Sequence, residues 1–193
     1  MTIRGDSLEY ELLKKWCDNL KLTPNIITCE IGVREGLGSK IILECIKARL
    51  KKNNQYRHIG IDPYNNLKYQ HSDNTRKGAI TADYTNKMCA TMREDFKDEK
   101  HFEFYQLKDK TFMELHSSAW TMRNFNLVHF DGPHMTKDVI SEAIWFADRS
   151  ILGTRFIFDD YKVYDIDILI RALSYYRFKT LELGERKICL EKQ

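Results

Sequence analysis

Nothing in this sequence reads as a leader, a membrane span, a repeat or a low-complexity tract. The opening Met1-Thr2-Ile3-Arg4-Gly5-Asp6 lacks the apolar core of a signal peptide, and no apolar run approaches the ~18 residues of a membrane span. A cytoplasmic protein with no membrane partner is expected. The five cysteines, Cys17, Cys29, Cys45, Cys89 and Cys189, are scattered and odd in number, which excludes the paired spacing of a zinc site and fits reduced core residues. The excess of charge of one sign is also small. A formal net charge of +3 without a basic stripe argues against nucleic acid as a partner, and the basic run from Lys47 to Lys52 ends a helix, where positive side chains suit the helix dipole. The 193 residues leave no room for a separate substrate domain, so one domain over 1–193 is expected, with 1–24 as an N-terminal helical extension and loops to hold any acceptor.

What is present is an alternation of apolar strands and amphipathic helices. Leu12, Leu13, Trp16 and Leu20 share one face of an opening helix from about Leu8 to Leu20, which is expected to pack against the sheet edge. Ile26 to Ile31 reads as a buried strand, and Ile42, Cys45, Ile46, Arg49 and Leu50 recur at helical spacing. Further strands are expected at His58–Asp62, Phe102–Leu107, Asn126–Phe130 and Arg155–Phe158, with helices at Thr81–Phe96, Lys110–Ser118, Lys137–Arg149 and Asp165–Tyr176, and Gly153 as a helix exit. Phe178–Leu183 and Lys187–Leu190 read as a terminal hairpin. Together these predict an α/β fold, Rossmann-like and doubly wound, with a mostly parallel seven-stranded sheet and an antiparallel strand near the C-terminus. Tyr64 to Gly78 is polar and aperiodic, a long loop of the kind that forms lids, and Tyr69, His71, Arg76 and Lys77 are candidates to touch substrate.

Ligands of open α/β sheets sit outside the carboxyl ends of the strands, and Glu30, Asp62, Asp131, Asp159 and Asp160 all fall at such ends. The glycines of Glu30-Ile31-Gly32-Val33-Arg34-Glu35-Gly36-Leu37-Gly38-Ser39 lie where the first strand gives way to a helix, a turn that brings bare backbone against a nucleotide-like ligand. Asp62 follows close to the ~20-residue interval at which a Rossmann-type acid meets ribose hydroxyls. A lone acid before Pro63 can also serve simply as a turn residue. Three carboxylates meeting at two adjacent strand ends would raise one another's pKa unless a cation joined them, and all-oxygen ligation suits a hard divalent ion such as Mg²⁺.

The Glu-x-Gly-x-x-x-Gly turn, Asp62, Phe130-Asp131-Gly132 and Phe158-Asp159-Asp160-Tyr161 together resemble class I S-adenosylmethionine-dependent methyltransferases over roughly Ile26 to Gln193. Within that class, Asp131-Gly132-Pro133-His134 with Asp159-Asp160 is similar to the metal-dependent O-methyltransferases, of the catechol type and, more closely, the macrocin and mycinamicin sugar enzymes. The resemblance implies a final strand inserted between the fifth and sixth. It implies a cofactor site of Glu30, Gly32, Gly36, Ser39, Asp62, Asp109 and Asp131, with the glycines and Ser39 on the methionine half, Asp62 on the ribose and Asp109 near the adenine. Lys108 stands where the family often has a glycine. It further implies a metal held by Asp131, Asp159 and Asp160, His134 as general base beside Asp131, and a small-molecule hydroxyl acceptor such as a sugar or glycan.

Other readings stay open at this point. A catalytically silent module of the same fold would keep the glycine turn without the chemistry. His129-x-Asp131 with a second histidine is the pattern of a non-haem iron oxygenase, although His129 lies within an expected central strand. The Gly-x-x-x-Gly spacing departs from a dinucleotide dehydrogenase, and the strand ending at Asp131 lacks the Asp/Asn-Pro-Pro-aromatic motif of amino-methyltransferases acting on nucleic acid.

Overall fold

Strands β1 (Asn25–Ile31), β2 (Gln55–Ile61) and β4 (Phe125–Phe130) carry near-continuous buried runs, as parallel strands covered on both faces require. With β3 (Phe102–Tyr105), β5 (Ser150–Phe158), β6 (Phe178–Leu183) and β7 (Ile188–Lys192) they form one sheet in the order β3-β2-β1-β4-β5-β7-β6. All pairings are parallel except those of β7, which runs antiparallel to both β5 and β6. This is the seven-stranded, mostly parallel arrangement expected from the sequence. The structure is a computed structural model and describes residues 8–70, 72–73 and 84–193.

The helices α1 (Tyr10–Asp18), α2 (Leu37–Lys47), α3 (Asn86–Asp95), α4 (Asp109–Leu115), α5 (Thr136–Ala147) and α6 (Ile166–Ser174) cover the sheet. One apolar layer holds Phe112, Phe125, Phe146, Phe156, Phe158 and Phe178, with Phe130 stacked on Phe158 at 4.4 Å between ring centres. The other packs Leu13, Trp16 and Leu20 of the N-terminal segment on Ile42 and Ile46 of α2. The first helix therefore lies on α2 and also reaches the edge strand β6, where Trp16 Nε1 donates to Glu182 Oε2 at 2.8 Å.

Several element boundaries differ from the sequence reading, most of all those of β5 and α3. β5 begins at Ser150 rather than Arg155, because Gly153, expected to mark a helix exit, adopts φ +82° inside the strand and lets Thr154 bridge from Ile151 N to Phe125 O. Helix α3 starts at Asn86, where Thr85 accepts a capping bond from Met88 N at 3.1 Å. Residues 81–83 of that expected helix lie outside the described residues.

Candidate functional site

Between β1 and β4 the strand order reverses, and the carboxyl ends of these strands open into two adjoining hollows. The larger, about 350 Å³, is lined by Ile31, Gly32, Ile61, Pro63, Leu67, Tyr69, Tyr84, Lys108, Asp109, Gly132 and Pro133 among others. The smaller runs along the glycine turn from Gly32 to Gly38 and is closed by Tyr10, Tyr84 and Asp131. Gly32 and Tyr84 border both.

The turn is built so that side chains cannot enter it. Gly32 (φ +84°) hands its N–H to Ile61 O at 2.9 Å, and a Cβ there would lie 2.1 Å from the carbonyl oxygen of Asp131. Gly36 (φ +90°) caps α2. Gly38 is different: its conformation is ordinary, but a Cβ would lie 1.9 Å from Glu30 Oε1.

Behind the turn lies a buried polar chain. Glu30 Oε1 accepts from His129 Nδ1 at 2.8 Å, Glu30 Oε2 accepts from the Ser39 hydroxyl, and Ser39 Oγ meets His58 Nε2 at 2.9 Å. His58 Nδ1 reaches Thr28 Oγ1 at 2.8 Å, and Thr28 meets the Tyr56 hydroxyl. Strand register explains the assembly, because Thr28 pairs with His58 and Glu30 with His129 on one sheet face. Burial, followed by nearby His129, pushes His58 down to about 3, so it is neutral here. Ser39 thus supports Glu30 and is fully buried behind the turn rather than in a hollow.

Asp62 is fully buried, with its oxygens accepting from Arg34 N and Tyr64 N, both at 2.9 Å. Burial pushes its carboxyl up to about 7 against those two amides, and it stands behind the larger hollow rather than on its wall. Asp109 does line that hollow, at the first turn of α4. Behind it Glu142, which the sequence reading did not single out, is buried, and that burial together with Asp109 pushes its carboxyl well above the usual range. His134 is buried between the lining residues Pro133 and Met135, its ring stacked on Tyr164 at 6.0 Å. Tyr69 lines the larger hollow, whereas His71, Arg76 and Lys77 lie outside the described residues.

The expected three-aspartate cage is not what forms. Asp131 and Asp159 do face each other: burial and then Asp159 push Asp131 well above the carboxylate range. Burial alone would raise Asp159 too, yet the Lys187 ammonium, 2.7 Å from its Oδ1, holds it well below that range. Asp160 instead takes Arg186 Nη1 at 3.0 Å. With an ammonium on one aspartate and a guanidinium on the next, the trio does not fit a divalent cation. Among the described residues, the group of potential ligand atoms within 4.8 Å of one another is Glu30, His129 and Asp131. It contains a single histidine, already bonded to Glu30, and so does not make the two-histidine iron site.

Lys187 was not singled out in the sequence, and neither was its support. It is fully buried and directly precedes β7. Glu9, just before α1, accepts from the backbone N–H groups of Glu185, Arg186 and Lys187 at 2.8, 2.8 and 2.9 Å.

A family model described as a methyltransferase domain matches residues 29–161. No curated protein matches the sequence. Among solved structures, the calicheamicin methyltransferase CalS11 is similar with a TM-score of 0.64 at 11% identity, over 94% of this chain and 76% of that one. A putative rRNA methylase from Clostridium thermocellum has a TM-score of 0.62 at 9% identity, over 100% and 98%. An O-methyltransferase from Bacillus cereus in complex with SAH has 0.58 at 10%, over 98% and 84%. At these identities the solved structures show the fold, while the family model spans the glycine turn and all the strand-end acids down to Asp160, so this chain belongs to the methyltransferase-domain family.

Proposed function

We propose that this protein is an S-adenosylmethionine-dependent O-methyltransferase acting on a hydroxyl of a small molecule, most simply a sugar or glycan. The observation that carries it is the bare-backbone contact of Gly32 with Asp131 between two adjoining hollows, the larger of which has the size and mixed lining of a nucleoside-type site. Bound there, the cofactor supplies an electrophilic methyl group on a sulfonium sulfur. The glycine turn takes the methionine half, with Glu30 holding the turn from behind through Ser39 and His129. Gly36 keeps the start of α2 clear of side chain, and Ile31, Ile61 and Pro63 flank the nucleoside half with Asp109 at its far end. Asp62 acts on the ribose region through the Arg34 and Tyr64 amides it fixes.

His134 takes the proton of the acceptor hydroxyl as its oxygen bonds the methyl carbon, and the electron pair of the broken bond stays on sulfur. Its stacking on Tyr164 sets the ring plane, and Asp131 orients the acceptor. Held positions carry much of the rate, since well-oriented groups are worth roughly 7–11 kcal/mol. A carbohydrate acceptor is supported by the fold likeness to a structure described as a TDP-rhamnose 3'-O-methyltransferase, at 12% identity and a TM-score of 0.63. The Mg²⁺ that the sequence resemblance implies is set aside in this reading, because basic side chains already stand on Asp159 and Asp160.

Calorimetry with S-adenosylmethionine, followed by a methyl-transfer screen over sugar, phenolic and ribosomal RNA acceptors, tests the reading. Cofactor binding with transfer to a sugar supports it. Transfer to RNA alone would replace the acceptor class, and absence of cofactor binding would leave a silent module.

A further inference from the structure

We propose that Lys187 is a built-in cation that takes the place of a divalent metal at the carboxyl ends of β4 and β5, so that this cleft excludes Mg²⁺ and Mn²⁺. The inference rests on the reading above only for its catalytic consequence. The placement of Lys187 stands independently of it.

The ammonium lies 2.7 Å from Asp159 Oδ1 and is fully buried, so it occupies the position a metal would need on that carboxylate. A hard divalent ion bonds oxygen at roughly 2.1 to 2.6 Å, which would bring two positive charges within about 5 Å inside a closed site. Arg186, half-exposed on the other side of one short turn, pairs with Asp160 Oδ1 at 3.0 Å. The acidic pair Asp159-Asp160 is thereby matched residue for residue by the basic pair Arg186-Lys187.

This turn is not a loosely held surface loop that could swing the lysine aside. Its backbone is pinned by the three amide bonds to Glu9, by Gly184 N donating to Lys187 O at 2.7 Å and by Tyr161 N donating to Arg186 O at 3.1 Å. A Cβ on Gly184 would meet Leu12 Cδ1 at 2.5 Å and both Glu9 oxygens at 2.7 Å, so the start of α1 is fitted closely to it. Tyr10, whose ring lies 5.6 Å from the Lys187 ammonium, also walls the smaller hollow. Glu9, just before the N-terminal helix, thus clamps the turn that carries the lysine, and Tyr10 at the start of that helix walls the cleft.

The test is a Mn²⁺ titration of the full chain followed by electron paramagnetic resonance, with S-adenosylmethionine affinity measured by calorimetry in the same buffer with and without EDTA. The wild type is expected to bind no stoichiometric Mn²⁺, and its cofactor affinity to be indifferent to EDTA. Lys187→Ala, with its fold checked by circular dichroism, is expected to gain one Mn²⁺ per chain, and Asp159→Asn added to it to lose that ion again. One Mn²⁺ bound by the wild type and lost in Asp159→Asn overturns the proposal. So does a folded Lys187→Ala that still takes up none, since something other than the lysine would then exclude the ion. Should Lys187→Ala not fold, the wild-type titration decides alone. A chain that fails to bind S-adenosylmethionine ends the methyl-transfer reading, while the Mn²⁺ result still judges Lys187.

Discussion

Gly38→Ala separates a steric requirement from ordinary helix propensity. Gly38 is the second residue of α2 and has no positive φ, so on propensity alone alanine would stabilise by up to about 1 kcal/mol. The new Cβ, however, falls 1.9 Å from Glu30 Oε1, the oxygen that accepts from His129. Glu30 must swing away, losing a charge-assisted bond worth about 1.5–3 kcal/mol and leaving buried partners unsatisfied at about 1–3 kcal/mol more. A net loss of roughly 2–4 kcal/mol follows. Urea unfolding of the variant should show a lower midpoint at unchanged slope. The decisive control is Glu30→Ala, which removes the obstructing carboxylate: in that background Gly38→Ala should be neutral or stabilising. An equal cost in both backgrounds would refute the argument, because the clash would then not be with Glu30.

Four further outcomes are expected. Lys187→Met leaves the Asp131–Asp159 pair without its cation and should cost about 3–5 kcal/mol in chemical unfolding, with much of it recovered when Asp159→Asn is added; equal loss in both would count against the pairing. Glu9→Ala should cost about 1 kcal/mol, as loss of a helix-cap-like carboxylate does, and should loosen amide exchange protection at 185–187. The pH dependence has two opposed parts. His58, about 3 when folded and 6.5 as a free side chain, is protonated only in the unfolded chain between those values, so stability is lost as pH falls through that window, at about 1.4 kcal/mol per pH unit; His58→Gln should remove this slope. Asp62, raised from 3.8 to about 7, works the other way, its contribution falling as pH rises across that interval, and unfolding of Asp62→Asn over the same range reads it. Finally, His134→Ala should lower turnover about 10²–10⁴-fold with cofactor affinity retained; full activity at neutral pH would remove it as base.

The fold was legible because each parallel strand is a short apolar run ending in a turn or an acid, a pattern that survives without tertiary information. β5 was shortened in the sequence reading because Gly153 looks like a helix terminator, and only strand pairing makes it a bulge. Within the site, the glycine turn and Asp131 were legible from order along the chain. The buried polar chain could have been found, since Thr28, Glu30, His58 and His129 are polar residues at the centres of largely apolar strands and come onto one face. Lys187 could not: a lysine beside an arginine in a hairpin turn reads as solvated surface, and its burial depends on Glu9 and Tyr10, far away in sequence. Asp131, Asp159 and Asp160 were read as ligands for an ion for the same reason, since the Lys187 and Arg186 partners of Asp159 and Asp160 are invisible until the sheet closes.

The insertion of β7 between β5 and β6 gives that closure a particular order. β5 lacks a neighbour on this side until the β6–β7 hairpin docks against it, bringing Ile188, Cys189 and Leu190 into the interior. Lys187 immediately precedes β7, so the same motion that zips the sheet shut delivers the positive charge to the cleft. The β5–β7 pairing joins residues distant in sequence and forms more slowly than the local β6–β7 hairpin. A chain caught before this step would hold a finished glycine turn beside mutually repelling acids, and competence to hold a ligand should therefore emerge together with the last increment of cooperative structure rather than ahead of it.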